Sequence, residues 1–132
     1  MQDIPKDFNW VTQRAECVPF RVFKQIQVEI EADLNLRNGL LNATQKADGV
    51  GFSLDAKGEH FFIHRNGVRL ITMIQFRLHN AIIEVRDADN KSILEATLTL
   101  NDEGRCMLVV AGKELETWQF RRRALENLLF GF

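Results

Sequence analysis

Between residues 49 and 112 the chain alternates short apolar runs with strong turn signals. The connections hold two to five residues, and one of them is the dipeptide Asn66-Gly67, which suits a two-residue type I′ hairpin turn. Connections this short cannot contain the helix that a parallel crossover needs, so neighbouring strands must run antiparallel. We therefore predict a six-stranded antiparallel meander, with strands at residues 50–54, 59–65, 68–78, 81–86, 92–100 and 105–111.

The predicted strands have one apolar face and one mixed face. Side chains of the apolar face alternate along each strand, as Ile74 and Phe76 do in the third one. The second face places Met73, Met107 and Val109 among charged residues. An apolar centre with a charged rim is typical of a protein interface. We predict that this face binds another protein, and a symmetric homodimer is the simplest way to cover it.

The segment before the meander has a pattern that fits two structures. From Ile26 to Leu36 apolar and polar residues alternate strictly, which taken alone predicts a strand. Pro19 suits the first turn of a helix, however, and Asn38-Gly39 suits its C-terminal cap. A strand from residue 20 to residue 36 would also be about three times the usual length. We therefore predict an N-terminal helix at about residues 19–38, whose buried stripe consists of Val22, Phe23, Ile26, Ile30 and Leu34.

The two ends of the chain complete the predicted fold. In residues 8–15, Trp10 and Val11 favour a strand, which would be a seventh, N-terminal member of the sheet. In residues 114–130, apolar side chains recur at helical spacing and predict a C-terminal helix. The predicted fold class is thus α+β, with both helices packed on an antiparallel sheet.

Composition excludes several classes of protein. The apolar content of 45%, the charged content of 27% and the length of 132 residues suit one globular domain over residues 1–132. A net charge of −1 gives no general attraction to nucleic acid or to anionic lipid. The first residues lack the apolar segment of a signal peptide, and no apolar run approaches the length of a membrane helix. We expect a cytoplasmic protein with no nucleic-acid or membrane partner.

Few residues suggest catalysis or metal binding. Cys17 and Cys106 are the only cysteines, too few for a zinc site, and we expect reduced thiols, with Cys106 in the core and a disulfide between the two as the alternative. His60 and His64 would lie about 13 Å apart along a strand, too far for one metal ion. We predict no catalytic residue, metal or cofactor. An enzyme that uses His60, His64 or Cys17 is the alternative.

Four basic residues are candidates for binding a ligand. Arg69, Arg77 and His79 belong to the third predicted strand and could together receive an anionic group. Cross-strand pairing with Glu84 is the alternative role for such arginines. The fourth candidate, Arg122, falls on the apolar stripe of the C-terminal helix. Either its guanidinium reaches the rim, or it pairs with a carboxylate beneath the helix, in which case it is our first candidate for a buried polar anchor.

These patterns predict a small non-enzymatic binding or assembly module. We expect it to associate with itself, or with an unknown protein partner, through the mixed face of the sheet. The alternative is a carrier of a small apolar or amphipathic ligand, with its cavity between the 19–38 helix and the sheet. The ten phenylalanines favour such a cavity, since they supply apolar surface without a polar group.

Overall fold

A computed structural model of the chain describes residues 8–67 and 72–131. Its described strands form one seven-stranded antiparallel sheet in chain order, which confirms the predicted α+β meander. The elements are α1 (Trp10–Glu16), α2 (Pro19–Gly39), α3 (Ala43–Ala47), β1 (Gly51–Lys57), β2 (His60–Asn66), β3 (Thr72–His79), β4 (Ile82–Arg86), β5 (Ser92–Leu100), β6 (Cys106–Val110), β7 (Lys113–Leu115) and α4 (Thr117–Phe130).

The seventh strand is not the segment that the sequence favoured. Strand β7 includes the first residues of the predicted C-terminal helix, and the N-terminal segment folds as helix α1. The side chain of Asn9 accepts a hydrogen bond from the backbone N–H of Thr12 (3.1 Å), and this N-cap overrides the strand preference of Trp10 and Val11. The prediction of an N-terminal strand was wrong.

The hairpin between β2 and β3 also differs from its prediction. A two-residue turn at Asn66-Gly67 would place Arg65 opposite residue 68. The observed register places Arg65 opposite Thr72, so the connection is longer. The segment between Gly67 and Thr72, which includes the candidate Arg69, lies outside the described residues.

Helix α2 resolves the ambiguous alternating segment as predicted. The stripe predicted to be buried is 0–5% exposed. The other apolar residues of the alternating pattern each follow a buried stripe residue by two positions. Two positions correspond to a rotation of about 200°, so these side chains reach the opposite face of the helix. On that face Val28 is 66% exposed and Leu36 is 68% exposed. The strand-like pattern thus describes a helix with two apolar faces.

A chain of phenylalanine rings fills the core between the helices and the sheet. Phe23 of α2 contacts Phe61 of β2 at a centroid distance of 5.1 Å, and Phe61 stacks on Phe76 of β3 at 4.9 Å. Phe76 meets Phe120 of α4 edge-on at 6.2 Å. All four rings are fully buried. They occupy the space between α2 and the sheet in which the predicted carrier would hold its ligand.

Cys17 and Cys106 form a disulfide, with their Cα atoms 5.4 Å apart. The expectation of reduced thiols was therefore wrong, and so was a core position for Cys106, which is exposed. Cys106 begins β6 opposite Leu100. The bond joins the α1–α2 connection to the sheet, and helix α1 itself has no buried residue.

Candidate functional site

Arg77 and His79, the described members of the ligand-binding set predicted on the third strand, have separate neighbours. The Nε atom of Arg77 lies 3.7 Å from a carboxylate oxygen of Glu84, its cross-strand neighbour. His79 is exposed at the end of the strand and contacts the side chain of Asn80. Arg77 therefore takes the alternative role of a cross-strand ion pair, and the structure does not bring it together with Arg122 of α4.

Arg122 is not the buried anchor of α4. Its side chain is 64% exposed and its Nε atom lies 3.1 Å from a carboxylate oxygen of Glu126, one turn along the helix. The anchored residue is its neighbour Arg121, which is 15% exposed and donates a hydrogen bond to Asp33 of α2 (2.9 Å). Arg122 therefore takes the alternative position at the rim, because the apolar stripe of α4 does not reveal where α2 places its carboxylates.

The mixed face of the sheet carries a paired charge network at its centre. Arg86 donates a hydrogen bond to Glu84 (2.7 Å), and this bond lowers the pKa of Glu84, whereas burial opposes the shift. Among the predicted interface residues, Met73 and Val109 are half-buried and Met107 is only 9% exposed. An interface on this face stays a prediction.

An apolar groove lies between α2 and α4. It has a volume of about 390 Å³. Leu125 and Leu129 of α4 are almost fully buried there. The remaining lining consists of exposed apolar side chains and of charged residues, which are Leu36, Leu40, Trp118 and Phe130, and Asp33, Arg37, Arg121, Arg122 and Glu126.

Two arginines hold the end of α4, and one of them, Arg37, lines this groove. Arg37 is 8% exposed, and its Nε donates a hydrogen bond to the carbonyl oxygen of Leu129 (2.8 Å). Its guanidinium lies 4.7 Å from the ring centroid of Phe130. Arg65 of β2 donates hydrogen bonds to the carbonyls of Leu128 and Gly131, both at 3.1 Å. These cations satisfy carbonyls that a helix end leaves unpaired and oppose its negative dipole end.

The charges around the groove are compensated within the chain. Arg121 binds Asp33 and lies 3.9 Å from Glu29, one turn earlier on α2. Burial raises the pKa of Asp33, and the nearby Arg121 only partly opposes this shift. Arg122 and Glu126 pair at the rim. The surface that remains for a partner is therefore mainly apolar.

The exposed apolar residues of α2 and α4 form one surface. On α2, Val28, Ala32 and Leu36 follow each other at intervals of four residues, which places them on one ridge. The ridge leads to the groove, where Leu40 is 72% exposed, Trp118 49% and Phe130 62%. We call this the helix-layer surface, defined by Val28, Ala32, Leu36, Leu40, Trp118 and Phe130.

Part of the helix-layer surface was predictable from the sequence. The strict alternation in α2 showed that apolar residues would occupy two helix faces, but it was interpreted only as a competing strand pattern. Arg37 lies in the last turn of α2, where the helix dipole favours a cation. Its partner carbonyl belongs to a residue 92 positions away, which no local pattern identifies.

Comparisons with known proteins leave the function to be argued from geometry. No protein-family model, curated protein or solved structure matches the chain. None of the helices within residues 8–67 and 72–131 is long and apolar enough to cross a membrane. In the same residues no three His, Cys, Asp or Glu side chains are grouped so that they could hold a metal ion.

Proposed function

We propose that this chain is a small non-enzymatic assembly module that associates with itself through the helix-layer surface. The observation that carries the proposal is the second apolar face of α2, where Val28 and Leu36 are about two-thirds exposed. A helix that is apolar on opposite faces is expected to be covered on both. The sheet covers one face, and no described residue covers the other.

The distribution of exposed apolar residues favours the helices over the sheet. Five of the nine large apolar side chains that are exposed belong to the helix-layer surface. On the mixed face of the sheet, Ile93 is the one exposed large apolar residue of the described strands, and the central charges pair with each other. Exposed contiguous apolar surface marks interaction sites in soluble proteins.

Self-association can be tested by sedimentation velocity from low to high micromolar concentration. We expect the wild type to sediment as more than a monomer and Leu36→Glu to remain monomeric. The matched control is Val109→Lys on the mixed sheet face, which lies opposite Glu114 and can pair with it. This control should behave as the wild type does. Both substitutions change exposed or half-buried positions, so thermal unfolding should be little altered.

Two results of this experiment would contradict the proposal. A wild-type monomer at every concentration would exclude self-association. Loss of association in Val109→Lys but not in Leu36→Glu would move the interface to the mixed sheet face, as the sequence alone predicts.

A second candidate function uses the same groove as a ligand site. Its volume of about 390 Å³ lies within the range of small-molecule sites. Six of the lining residues are apolar, and Arg122 is an exposed cation at the rim that an anionic group could bind in place of Glu126, so an acyl chain with an anionic head group is the chemistry that the groove fits. Native mass spectrometry with added dodecanoate tests this. Saturable binding that Leu36→Glu weakens would support a carrier, and no binding would exclude this ligand class.

A further inference from the structure

The ridge on the exposed face of α2 has a pattern of large, small and large side chains. Val28 and Leu36 lie about 6 Å before and after Ala32 along the helix axis. Ala32 is exposed and has the smallest side chain on the ridge. A small residue between two large ones lets a second helix approach closely at that point.

We infer, on the basis of the function proposed above, that two copies pair through an α2–α2 crossing centred on Ala32. The two-fold axis would pass midway between the two copies of Ala32, so that Ala32 faces Ala32 of the other copy. In the antiparallel sense Val28 packs against Leu36 of the other copy. This arrangement also brings helix ends of opposite dipole sign nearer to each other.

The spacing of the ridge sets the geometry of the crossing. Residues four apart form the i±4 ridge of a helix, and two such ridges interdigitate at an angle of about 50°. An isologous interface requires that one surface complements itself. The ridge meets this requirement because it has a large apolar side chain on each side of its central small residue.

The ridge is free of charged side chains, as the centre of an interface should be. The nearest polar neighbours of Ala32 along the helix surface are Glu29 and Asn35, and Asn35 is uncharged and exposed. Glu29 and Asp33 turn towards Arg121, so they are compensated within their own copy. The net charge of −1 adds little repulsion between two copies.

The lengths of α2 and α4 set the area that the pair can bury. Helix α2 has 21 residues and α4 has 14, which gives the layer a projected area on the order of 500 Å². The accessible surface of packed side chains exceeds its flat projection. It therefore approaches the roughly 800 Å² per partner that stable interfaces bury. The result is an assembly in which the helices of both copies lie between the two sheets.

A cysteine placed on the axis tests this arrangement. Because Cys17 and Cys106 bond to each other, Ala32→Cys supplies a single free thiol. We expect mild oxidation to link two copies of this variant, visible as a dimer on a non-reducing gel. The matched control is Gln25→Cys, also exposed on α2. Its two thiols would lie about 20 Å apart in the pair and should not link.

Ala32→Glu provides an independent readout that needs no cross-linking. Two carboxylates would face each other on the axis, and we expect the Kd of self-association to rise about 100-fold or more. Circular dichroism checks that this exposed substitution leaves the fold intact. Two outcomes would overturn the crossing but leave the proposed function standing. One is self-association in which Ala32→Cys forms no cross-link, and the other is a cross-link that Gln25→Cys forms equally well. A wild-type monomer would overturn both.

Discussion

Replacement of Arg37 by methionine should destabilise the fold. Arg37 belongs to a helix of the outer layer, but its side chain is buried. Arg37 joins the last turn of α2 to the last turn of α4 through its hydrogen bond to Leu129. Its guanidinium also lies near two rings, 4.7 Å from Phe130 and 5.6 Å from Phe52. Methionine keeps an unbranched apolar stem of similar reach, so the substitution removes chiefly the cation and its donors.

The size of the loss follows from these contacts. A hydrogen bond from a charged donor contributes about 1.5 to 3 kcal/mol, and a buried carbonyl left without a partner costs a comparable amount. Contacts between a cation and a ring add about 0.5 to 2 kcal/mol. These terms overlap because they describe the same side chain. We expect Arg37→Met to lower the free energy of unfolding by about 2 to 4 kcal/mol.

Urea unfolding at neutral pH, with the disulfide intact, measures this loss. Arg122→Met is the matched control, because its ion pair with Glu126 is exposed and within one helix, and it should change stability by less than about 0.5 kcal/mol. Arg37→Lys should recover only part of the loss, because the ammonium of lysine lacks the planar guanidinium that donates the hydrogen bond and stacks on the rings at the same time. Equal stability of Arg37→Met and the wild type would refute the reasoning.

Three further predictions concern the disulfide and two carboxylates. Titration of the unreduced, unfolded protein should find no free thiol, and reduction should cost about 4 to 5 kcal/mol, since the bond between Cys17 and Cys106 closes a separation of 89 residues. The lowered pKa of Glu84 means that its contribution to stability is present above its ordinary value of 4.5 and is lost as pH falls through the lower folded value. The stability deficit of Glu84→Gln should therefore shrink in acid. The raised pKa of Asp33 has the opposite sign, so its ionisation costs stability as pH rises from its ordinary value of 3.8 through the higher folded value. Relative to the wild type, Asp33→Asn should gain stability across that interval. Urea unfolding at several pH values measures both carboxylate effects.

Each of these predictions has a result that contradicts it. Two reactive thiols in the unreduced protein would contradict the disulfide. A deficit of Glu84→Gln that stays constant down to strongly acid pH would show that the carboxylate is not held in its ionised form. A stability difference between Asp33→Asn and the wild type that does not change with pH would contradict the raised pKa.

The sheet was predictable because its connections are short. Two to five residues between apolar runs leave antiparallel pairing as the physical option, and the described strands follow that order. Helix α2 was predictable from Pro19, which occupies its first turn, but the predicted cap at Asn38-Gly39 was wrong, because both residues are still helical and Leu40 caps the helix at a φ of −99°. Local backbone chemistry thus carried most of the architecture.

The groove and its charges were not predictable, because they depend on distant residues. Arg121 and Asp33 are 88 positions apart, and the two cysteines are 89 apart. Sequence periodicity describes which face of one element is apolar. It does not show which charged residue of another element will lie against that face, and for this reason Arg122 was chosen in place of Arg121.

Side-chain footprinting by hydroxyl radicals tests most directly whether the helix-layer surface is covered in the assembly. Trp118 and Phe130 belong to that surface, Met73 lies on the mixed sheet face, and Trp10 is an exposed reference on α1. As concentration rises through self-association, we expect oxidation of Trp118 and Phe130 to fall while that of Trp10 and Met73 stays constant. Protection of Met73 with unchanged oxidation of Trp118 would contradict the account.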